Sequence, residues 1–170
     1  MALTFPRDLP SYVLVRGTFT LVDAVASSAS RSGAKLNLTR VSDPTWTLDV
    51  ETPPLRPHEK RAWTAWKNSL RGGLREFLAY DITRNPPAAY PKAKTPQDIS
   101  PGWGGTAAVS SLGLAGALGL SNLPAGYQVR VGDRIGLEAA AGHRGYYEAV
   151  EDAVANASGA LTVTVSPFLH

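Results

Sequence analysis

The sequence predicts a mainly β protein, a split-barrel-like barrel or sandwich of short strands, with one amphipathic α-helix and a long proline-rich loop. Three observations favour this fold. Short runs rich in Val, Thr and aromatic residues occupy the first and last thirds of the sequence. Turn signals separate the later runs at even spacing, as in barrels and sandwiches. Between the two groups, residues 57–71 have a helical period instead.

Composition limits the size and the class of the protein. A chain of 170 residues with 44% apolar and 18% charged residues is expected to form a single globular domain over 1–170. It has no cysteine, which excludes disulfides, thiolate metal sites and cysteine nucleophiles. Lys and Arg are scattered and the net charge is only +3, so nucleic-acid recognition is not expected. No stretch approaches the roughly 18 uninterrupted apolar residues that span a bilayer, so membrane insertion is not expected. The low charge content suggests a surface covered by other subunits.

The first third predicts strands at residues 12–25, 36–41 and 45–51, since each run is rich in Val, Thr, Leu or aromatic residues. A loop of small polar residues, 27–35, separates the first two. The turn signal Ser42-Asp43-Pro44 is expected to divide the last two. Thr52-Pro53-Pro54 then ends the β-rich part.

The predicted helix, about 57–71, begins at Pro57 and ends before Gly72-Gly73. At 100° per residue, Trp63, Trp66 and Leu70 lie on one apolar arc with Ala62, Ala65 and Ser69. Lys60, Arg61, Lys67 and Arg71 lie on the other side. A stacking site for single-stranded nucleic acid needs aromatic and basic residues on one face, so Trp63, Trp66 and Leu70 are predicted to form the structural core of the helix. Residues 74–82 then read as the next strand.

Residues 84–105 contain five of the thirteen prolines, a density that no regular element tolerates. Loops of this length are uncommon within compact domains and are often functional. Two interpretations stay open: a surface loop, or an extended arm that grips a neighbouring molecule with Tyr90 and Trp103 as anchors. The candidate subunit contacts are Pro86, Pro87, Tyr90, Pro91 and Trp103.

The last third returns to strand-like runs with turn signals between them. They lie at 106–114, 116–123, 127–133, 134–140, 145–155 and 160–169. No βαβ pattern surrounds the Gly-rich run at 113–119, so a dinucleotide site is not indicated.

Catalytic patterns are lacking. The three histidines, His58, His143 and His170, have no spacing that would bring two ligands to one metal. The acids Glu148, Glu151 and Asp152 are interpreted as solvated charges at a strand edge. We therefore expect no enzyme activity, no metal and no cofactor.

The order of these features resembles a known protein family. The motifs that carry the likeness are W-x-L-D-V-x-T-P-P-L (46–55), W-x-A-W-x-x-S-L-R-G-G-L-R-x-F (63–77), A-Y-D-x-x-R-x-P (79–86), L-S-N-L-P-A-G-Y-x-V-R-V-G-D-R-I-G-L (120–137), Y-Y-E-A-V-E-D (146–152) and T-V-T-V-S-P-F-L (162–169). Together they resemble tail proteins of long-tailed bacteriophages and prophages, in particular the distal tail type at the tail tip.

The resemblance implies a split β-barrel with one helix packed on it, repeated as a ring that is typically hexameric. Such a ring joins the tail tube to the tip's hub and fibres, so the implied partners are further copies of the chain, the tube protein, and hub and fibre proteins. The implied location is the virion tail tip, after assembly in the host cytoplasm. Two alternatives remain: a tail-tube or tail-completion (terminator) protein, and a carbohydrate- or surface-ligand-binding module using Trp103, Tyr90 and Tyr146-Tyr147.

Overall fold

The computed structural model describes residues 4–10, 14–30, 36–79, 81–84, 86–139 and 144–168. In these ranges strands predominate, which confirms the mainly β prediction, and the sheets that they form do not close into a barrel. The chain divides into two compact units, Met1–Thr20 with Thr47–Thr83 and Leu21–Trp46 with Arg84–His170. The expectation of a single domain over 1–170 stays a prediction.

The strands in chain order are β1 (Arg7–Asp8), β2 (Arg16–Ala29), β3 (Leu36–Glu51), β4 (Phe77–Leu78), β5 (Ala108–Leu112), β6 (Ala117–Ser121), β7 (Gln128–Val129), β8 (Arg134–Glu138), β9 (Arg144–Ala149), β10 (Ala153–Val154) and β11 (Leu161–Ser166). The α-helices are α1 (Pro57–Ser69) and α2 (Pro96–Ile99), and short 3₁₀ turns lie at Arg71–Gly73, Ile82–Arg84 and Leu114–Gly116.

Strands β2 and β3 pair with each other as a long two-stranded hairpin. The prediction of two strands divided at Ser42-Asp43-Pro44 was wrong, because β3 runs without a break through Pro44. A two-stranded ribbon leaves one side of each strand unpaired, so a residue without an N–H is tolerated there. The predicted loop 27–35 overlaps the end of β2, and its residues 31–35 lie outside the described ranges.

The larger sheet has the order β5-β6-β11-β9-β8, with antiparallel neighbours throughout. In β11 the buried residues Leu161, Val163 and Val165 alternate with exposed or half-buried ones, as expected for a strand with one covered face. Val163 lies opposite Leu118 of β6, and both are fully buried. The core around them consists of Leu118, Leu120, Val129, Ala149, Ala155, Leu161, Val163 and Val165.

Helix α1 begins at the predicted Pro57 and ends at Ser69, two residues before the predicted end. The Arg56 N–H donates to Glu59 Oε2 at 2.7 Å, which satisfies one of the unpaired groups at the start of the helix. After the helix, Gly72 takes a left-handed conformation with φ of 69°, the role that favours glycine at a helix end.

Two sides of α1 differ as the helical wheel predicted. Lys60, Arg61, Lys67 and Arg71 are exposed, whereas Trp63 and Trp66 are half-buried and Leu70 is buried. The Trp66 ring lies edge-on to Phe77 of β4, with 5.2 Å between ring centroids, and its Nε1 donates to the Asp8 carbonyl at 2.8 Å. The helix therefore packs through its tryptophans on the β1–β4 pair. Ala65, expected on the apolar arc, is exposed.

The predicted strand 74–82 was largely wrong. Only Phe77–Leu78 form a strand, which pairs in parallel with β1, and Leu74 is 83% exposed. The strand stops short because the buried Asp81 carboxylate accepts hydrogen bonds from the Thr83 N–H (2.9 Å) and hydroxyl (2.6 Å). Such a side-chain turn competes with strand pairing. Tyr80 lies outside the described residues.

Candidate interaction surfaces

The far half of the hairpin, defined here as residues 22–29 of β2 and 36–43 of β3, is an exposed surface that carries large apolar residues. All of these residues except Ala24 are exposed. Five of them are large apolar residues with exposed fractions between 48% and 69%: Val22, Val25, Leu36, Leu38 and Val41. These exposed apolar residues make the far half a candidate interaction surface.

Apolar side chains lie on both faces of this far half. Successive residues of a strand point to opposite faces, so Leu36 and Leu38 share one face of β3 and Val41 lies on the other. Val22 and Val25 are divided in the same way between the faces of β2. A two-stranded hairpin without further contacts is only marginally stable in water. Among the described residues, β2 and β3 pair only with each other.

The hairpin is fixed to the large sheet at Trp46 of β3. The Trp46 Nε1 donates to the Tyr146 carbonyl at 2.5 Å, and the two rings meet edge to face with centroids 5.5 Å apart. The Arg134 guanidinium lies 4.3 Å from the centroid of the Trp46 ring, a distance at which a cation is attracted to an indole. The far half thus extends from an anchored base.

Glu148 of β9 joins two arginines next to this anchor. Its Oε2 lies 2.6 Å from Arg134 Nη1, and its Oε1 lies 3.0 Å from Arg84 Nη1. The Arg134 side chain is only 7% exposed, so its charge is compensated by the carboxylate and the aromatic rings together. Arg84 also donates to the Gly132 carbonyl at 2.9 Å. The cluster connects the start of the proline-rich segment to the sheet.

The other two acids that the sequence grouped with Glu148 are exposed, as expected, but each fixes a loop. Glu151 accepts hydrogen bonds from the Thr164 N–H (2.9 Å) and hydroxyl (2.6 Å), which lower the pKa of Glu151. Asp152 accepts from the Val131 N–H (2.8 Å) and from Arg130 Nη1 (2.6 Å), which lower the pKa of Asp152. These carboxylates therefore hold backbone in place.

The proline-rich segment uses its aromatic residues inside its own chain. The Tyr90 ring stacks on Tyr127 with centroids 5.3 Å apart, and the Trp103 ring lies edge-on to Tyr127 at 5.1 Å. The Tyr90 hydroxyl oxygen accepts a hydrogen bond from the Gln128 N–H at 2.9 Å. Trp103 Nε1 donates to the Thr106 carbonyl at 3.0 Å. Tyr90 and Trp103 thus anchor the segment to the strand β7 region.

Asp133 is the second attachment point of this segment. Its buried carboxylate accepts one hydrogen bond from the Ala88 N–H and one from the Arg130 N–H, each at 2.8 Å. Pro86 and Pro87, just before Ala88, are half-buried, whereas Pro91 is exposed. A buried carboxylate is retained only when such partners satisfy it, so Asp133 acts as a clamp on the segment.

Part of the proline-rich segment is regular, which the sequence did not predict. The one-turn helix α2 begins at Pro96, and Asp98 accepts hydrogen bonds from the Lys94 and Thr95 N–H groups, each at 2.9 Å. These two bonds lower the pKa of Asp98. An open depression of about 560 Å³ lies beside it, lined by residues 89–94 and Asp98. A role of Pro86, Pro87, Tyr90, Pro91 and Trp103 in subunit contacts stays a prediction.

Tyr127 at the centre of the aromatic cluster was not singled out by its sequence context. Burial raises the pKa of Tyr127 to about 12, with smaller contributions from the negative charge of Asp133 and from Tyr90. Tyr127 is central to the cluster because it contacts Trp103 and Tyr90, which lie 24 and 37 positions earlier in the chain. No local sequence motif predicts contacts over such separations.

The residues that were considered for catalysis are not brought together. His58 is exposed in the first turn of α1, and His143 and His170 lie outside the described ranges. Across the described residues, no three His, Asp or Glu side chains are close enough to hold a metal ion. In the same ranges, no helix combines the length and apolar character needed to cross a bilayer.

Comparison with known proteins gives no information about the family or function of the chain. No protein-family model matches the chain, and no curated protein matches its sequence.

Proposed function

We propose that the chain is a structural subunit of a bacteriophage tail tip, of the distal tail type, which assembles with further copies into a ring between the tail tube and the hub and fibres. The single observation that carries the self-assembly is the far half of the hairpin, with Val22, Val25, Leu36, Leu38 and Val41 exposed on two faces. The assignment to the tail tip is supported by the resemblance of the sequence motifs to that family.

The energetics of the hairpin favour assembly. Burying one fully exposed Val or Leu side chain contributes about 1.5–3 kcal/mol. These five are 48–69% exposed, so covering them would contribute a stabilisation of roughly half that amount for each residue. Contacts with neighbouring subunits would recover it. A contact between unlike surfaces of identical subunits forms a closed ring when the rotation between neighbours closes, and the implied hexamer is one such ring.

We include in this proposal the split barrel that the resemblance implies. The five-stranded sheet of one copy has two outer strands, β5 and β8. Pairing of an outer strand with a neighbour would extend the sheet from copy to copy. In this account the protein works by contact alone, without catalysis, metal or cofactor, and the Glu148, Glu151 and Asp152 carboxylates have structural roles.

Size-exclusion chromatography with light scattering tests the self-assembly. We expect the protein to have a mass several times the 18.0 kDa of one chain, and the double variant Leu36→Ser/Leu38→Ser to have the mass of a monomer with an unchanged circular dichroism spectrum. The matched control is Val154→Ser, which alters an exposed apolar residue of β10 and is expected to leave the assembly intact. A wild-type protein that stays monomeric at all concentrations would refute the proposal.

The place in the particle requires a separate experiment. In a cryo-electron microscopy reconstruction of phage particles that contain the protein, we expect a ring at the junction of the tail tube and the hub. Density along the whole tube would instead indicate a tube protein, and a ring at the head-proximal end would indicate a terminator. Absence of the chain from the tail would overturn the assignment.

A further inference from the structure

The edge strand β5 lies in a segment that carries no charge. From Ile99 to Val129 the sequence contains no Asp, Glu, Lys, Arg or His. Within the described residues β5 pairs only with β6, and all five of its residues are exposed. Val109 and Leu112 of β5, and Leu114 in the turn after it, are exposed apolar residues. An uncharged, apolar sheet edge is a template for pairing with another strand.

The opposite edge of the same sheet is different. Strand β8 carries Arg134 and Glu138 at its two ends, and Glu138 forms an ion pair with Arg144 of β9 at 3.3 Å. Charged residues on an outer strand are a common protection against unwanted pairing. Since β8 has this protection and β5 lacks it, β5 is the edge that is suited to accept a partner.

We infer that β5 accepts the far half of the hairpin from a second copy of this chain, so that the sheet of one subunit continues into the hairpin of the next. This inference rests on the proposed self-assembly and specifies the two surfaces that meet. It accounts for two features of the described residues. The outer edge of β5 is uncharged and pairs with no further strand, and the two-stranded hairpin needs a third strand to be stable. Pairing of β5 with a second β5 would leave the hairpin exposed.

The dimensions and the side chains of the two surfaces agree. The five residues of β5 span about 17 Å, and residues 36–43 of β3 span about 27 Å, so the hairpin is long enough to cover the edge. Leu36, Leu38 and Arg40 lie on one face of β3 and Val41 lies on the other, so the incoming strand would bring apolar side chains to both faces of the sheet. The pairing of β5 with β6 shifts by one residue between Val109 and Ser111, so the incoming strand must cross one bulge.

Charge placed on β5 tests the inference. We expect Val109→Lys and Leu112→Lys to weaken assembly by more than about tenfold in dissociation constant, because a lysine buried in the new contact loses its hydration. The control Val154→Lys makes a matched change on β10 and is expected to leave assembly unchanged. If both β5 variants assemble like the wild type while Leu36→Ser/Leu38→Ser does not, this inference is wrong and the proposed self-assembly stands.

Cross-linking gives a test that does not depend on the stability of these variants. Because the chain has no cysteine, a variant with Leu38→Cys and Val109→Cys carries a single pair of thiols. On oxidation we expect a ladder of disulfide-linked species above the dimer, since each copy contributes both surfaces. Each single-cysteine variant is expected to run as a single chain in denaturing, non-reducing electrophoresis, because it lacks the second thiol of the pair. Efficient dimer formation by Val109→Cys alone would show that β5 pairs with β5, and oxidation that yields no species above the dimer would also contradict the inference.

Discussion

The far half of the hairpin and the β6–β11 part of the large sheet both contain Val, Leu, Thr and Ser, but their surroundings are opposite. The far half also carries the charged residues Asp23, Arg40 and Asp43, whereas β6 and β11 carry none. In the sheet, Leu118, Val163 and Val165 are completely buried, whereas Leu38 and Val41 of the hairpin are more than 60% exposed. Residue types that favour strands therefore produced a strand in both places, but among the described residues only the strands of the sheet are covered.

The difference shows that strand formation and strand stability have separate origins here. β11 is paired on both sides and covered by the core cluster, so its stability is internal to one copy. The far half of the hairpin has one partner strand and no cover among the described residues, so the proposed function assigns its stability to assembly. Five changes test this contrast, from the largest expected effect to the smallest.

Leu118→Ala, in the centre of the sheet, is expected to have the largest effect. Leu118 is fully buried, and truncating a buried leucine to alanine costs about 2–5 kcal/mol through lost burial and the cavity that remains. Urea unfolding monitored by circular dichroism measures this change. A loss below about 1 kcal/mol would show that the sheet is not the stable part of the protein.

Trp66→Ala is expected to lower the free energy of unfolding by about 2–3 kcal/mol, somewhat less than for a fully buried aromatic residue. The reason is the loss of the contact with Phe77 and of the hydrogen bond to the Asp8 carbonyl. Lys67→Ala, on the exposed side of α1, is the control and should change the same quantity by no more than about 0.5 kcal/mol. Equal effects of the two changes would mean that the tryptophan face of α1 does not hold the helix in place.

Asp133→Ala is expected to cost about 1–3 kcal/mol, because the Ala88 and Arg130 N–H groups lose their acceptor. The change should also release the proline-rich segment from the sheet. Limited proteolysis measures this release as faster cleavage between residues 88 and 105. Unchanged cleavage would show that the aromatic cluster alone holds the segment.

Tyr127 is expected to make the protein sensitive to high pH. Its folded-state pKa of about 12 lies above the value near 10 of an unfolded tyrosine. The stabilisation from keeping Tyr127 neutral is therefore fully present below about pH 10 and is lost as the pH rises towards 12. Tyr127→Phe should flatten the decline of unfolding free energy in this interval, and an equally steep decline in the variant would refute the assignment.

Leu38→Ala is expected to have the smallest effect on a single subunit. Leu38 is exposed, so the free energy of unfolding of the monomer should change by no more than about 0.5 kcal/mol. The same substitution should weaken assembly, since it removes apolar area from the contact. A destabilisation of the monomer similar to that of Leu118→Ala would show that the hairpin is covered within its own chain.

Local sequence patterns predicted the helices and strands that are determined by residues close together in sequence. Helix α1 was found from its 3.6-residue period and from Pro57 and Gly72, and most strands of the last third lie within the predicted runs. The continuous β3 was missed because Pro44 usually breaks a strand, and only the free side of a two-stranded ribbon tolerates it.

The candidate surfaces were only partly predictable, because they depend on contacts between residues that are distant in sequence. Tyr90 and Trp103 were selected as anchors from their residue type, but their partner Tyr127 and the Asp133 clamp depend on contacts across 24 to 45 positions of sequence. The exposure of the large apolar residues in the far half could not be predicted, because strand propensity does not indicate whether a strand is covered.

Hydrogen–deuterium exchange compared between the assembled protein and the Leu36→Ser/Leu38→Ser variant tests the central claim most directly. Amides of β6 and β11 should be protected in both proteins, because their pairing is internal to the subunit. Amides of residues 22–29 and 36–43 should be protected in the assembled protein and should exchange rapidly in the variant. Rapid exchange of the far half in the assembled wild type would contradict the claim that this hairpin is the contact between subunits.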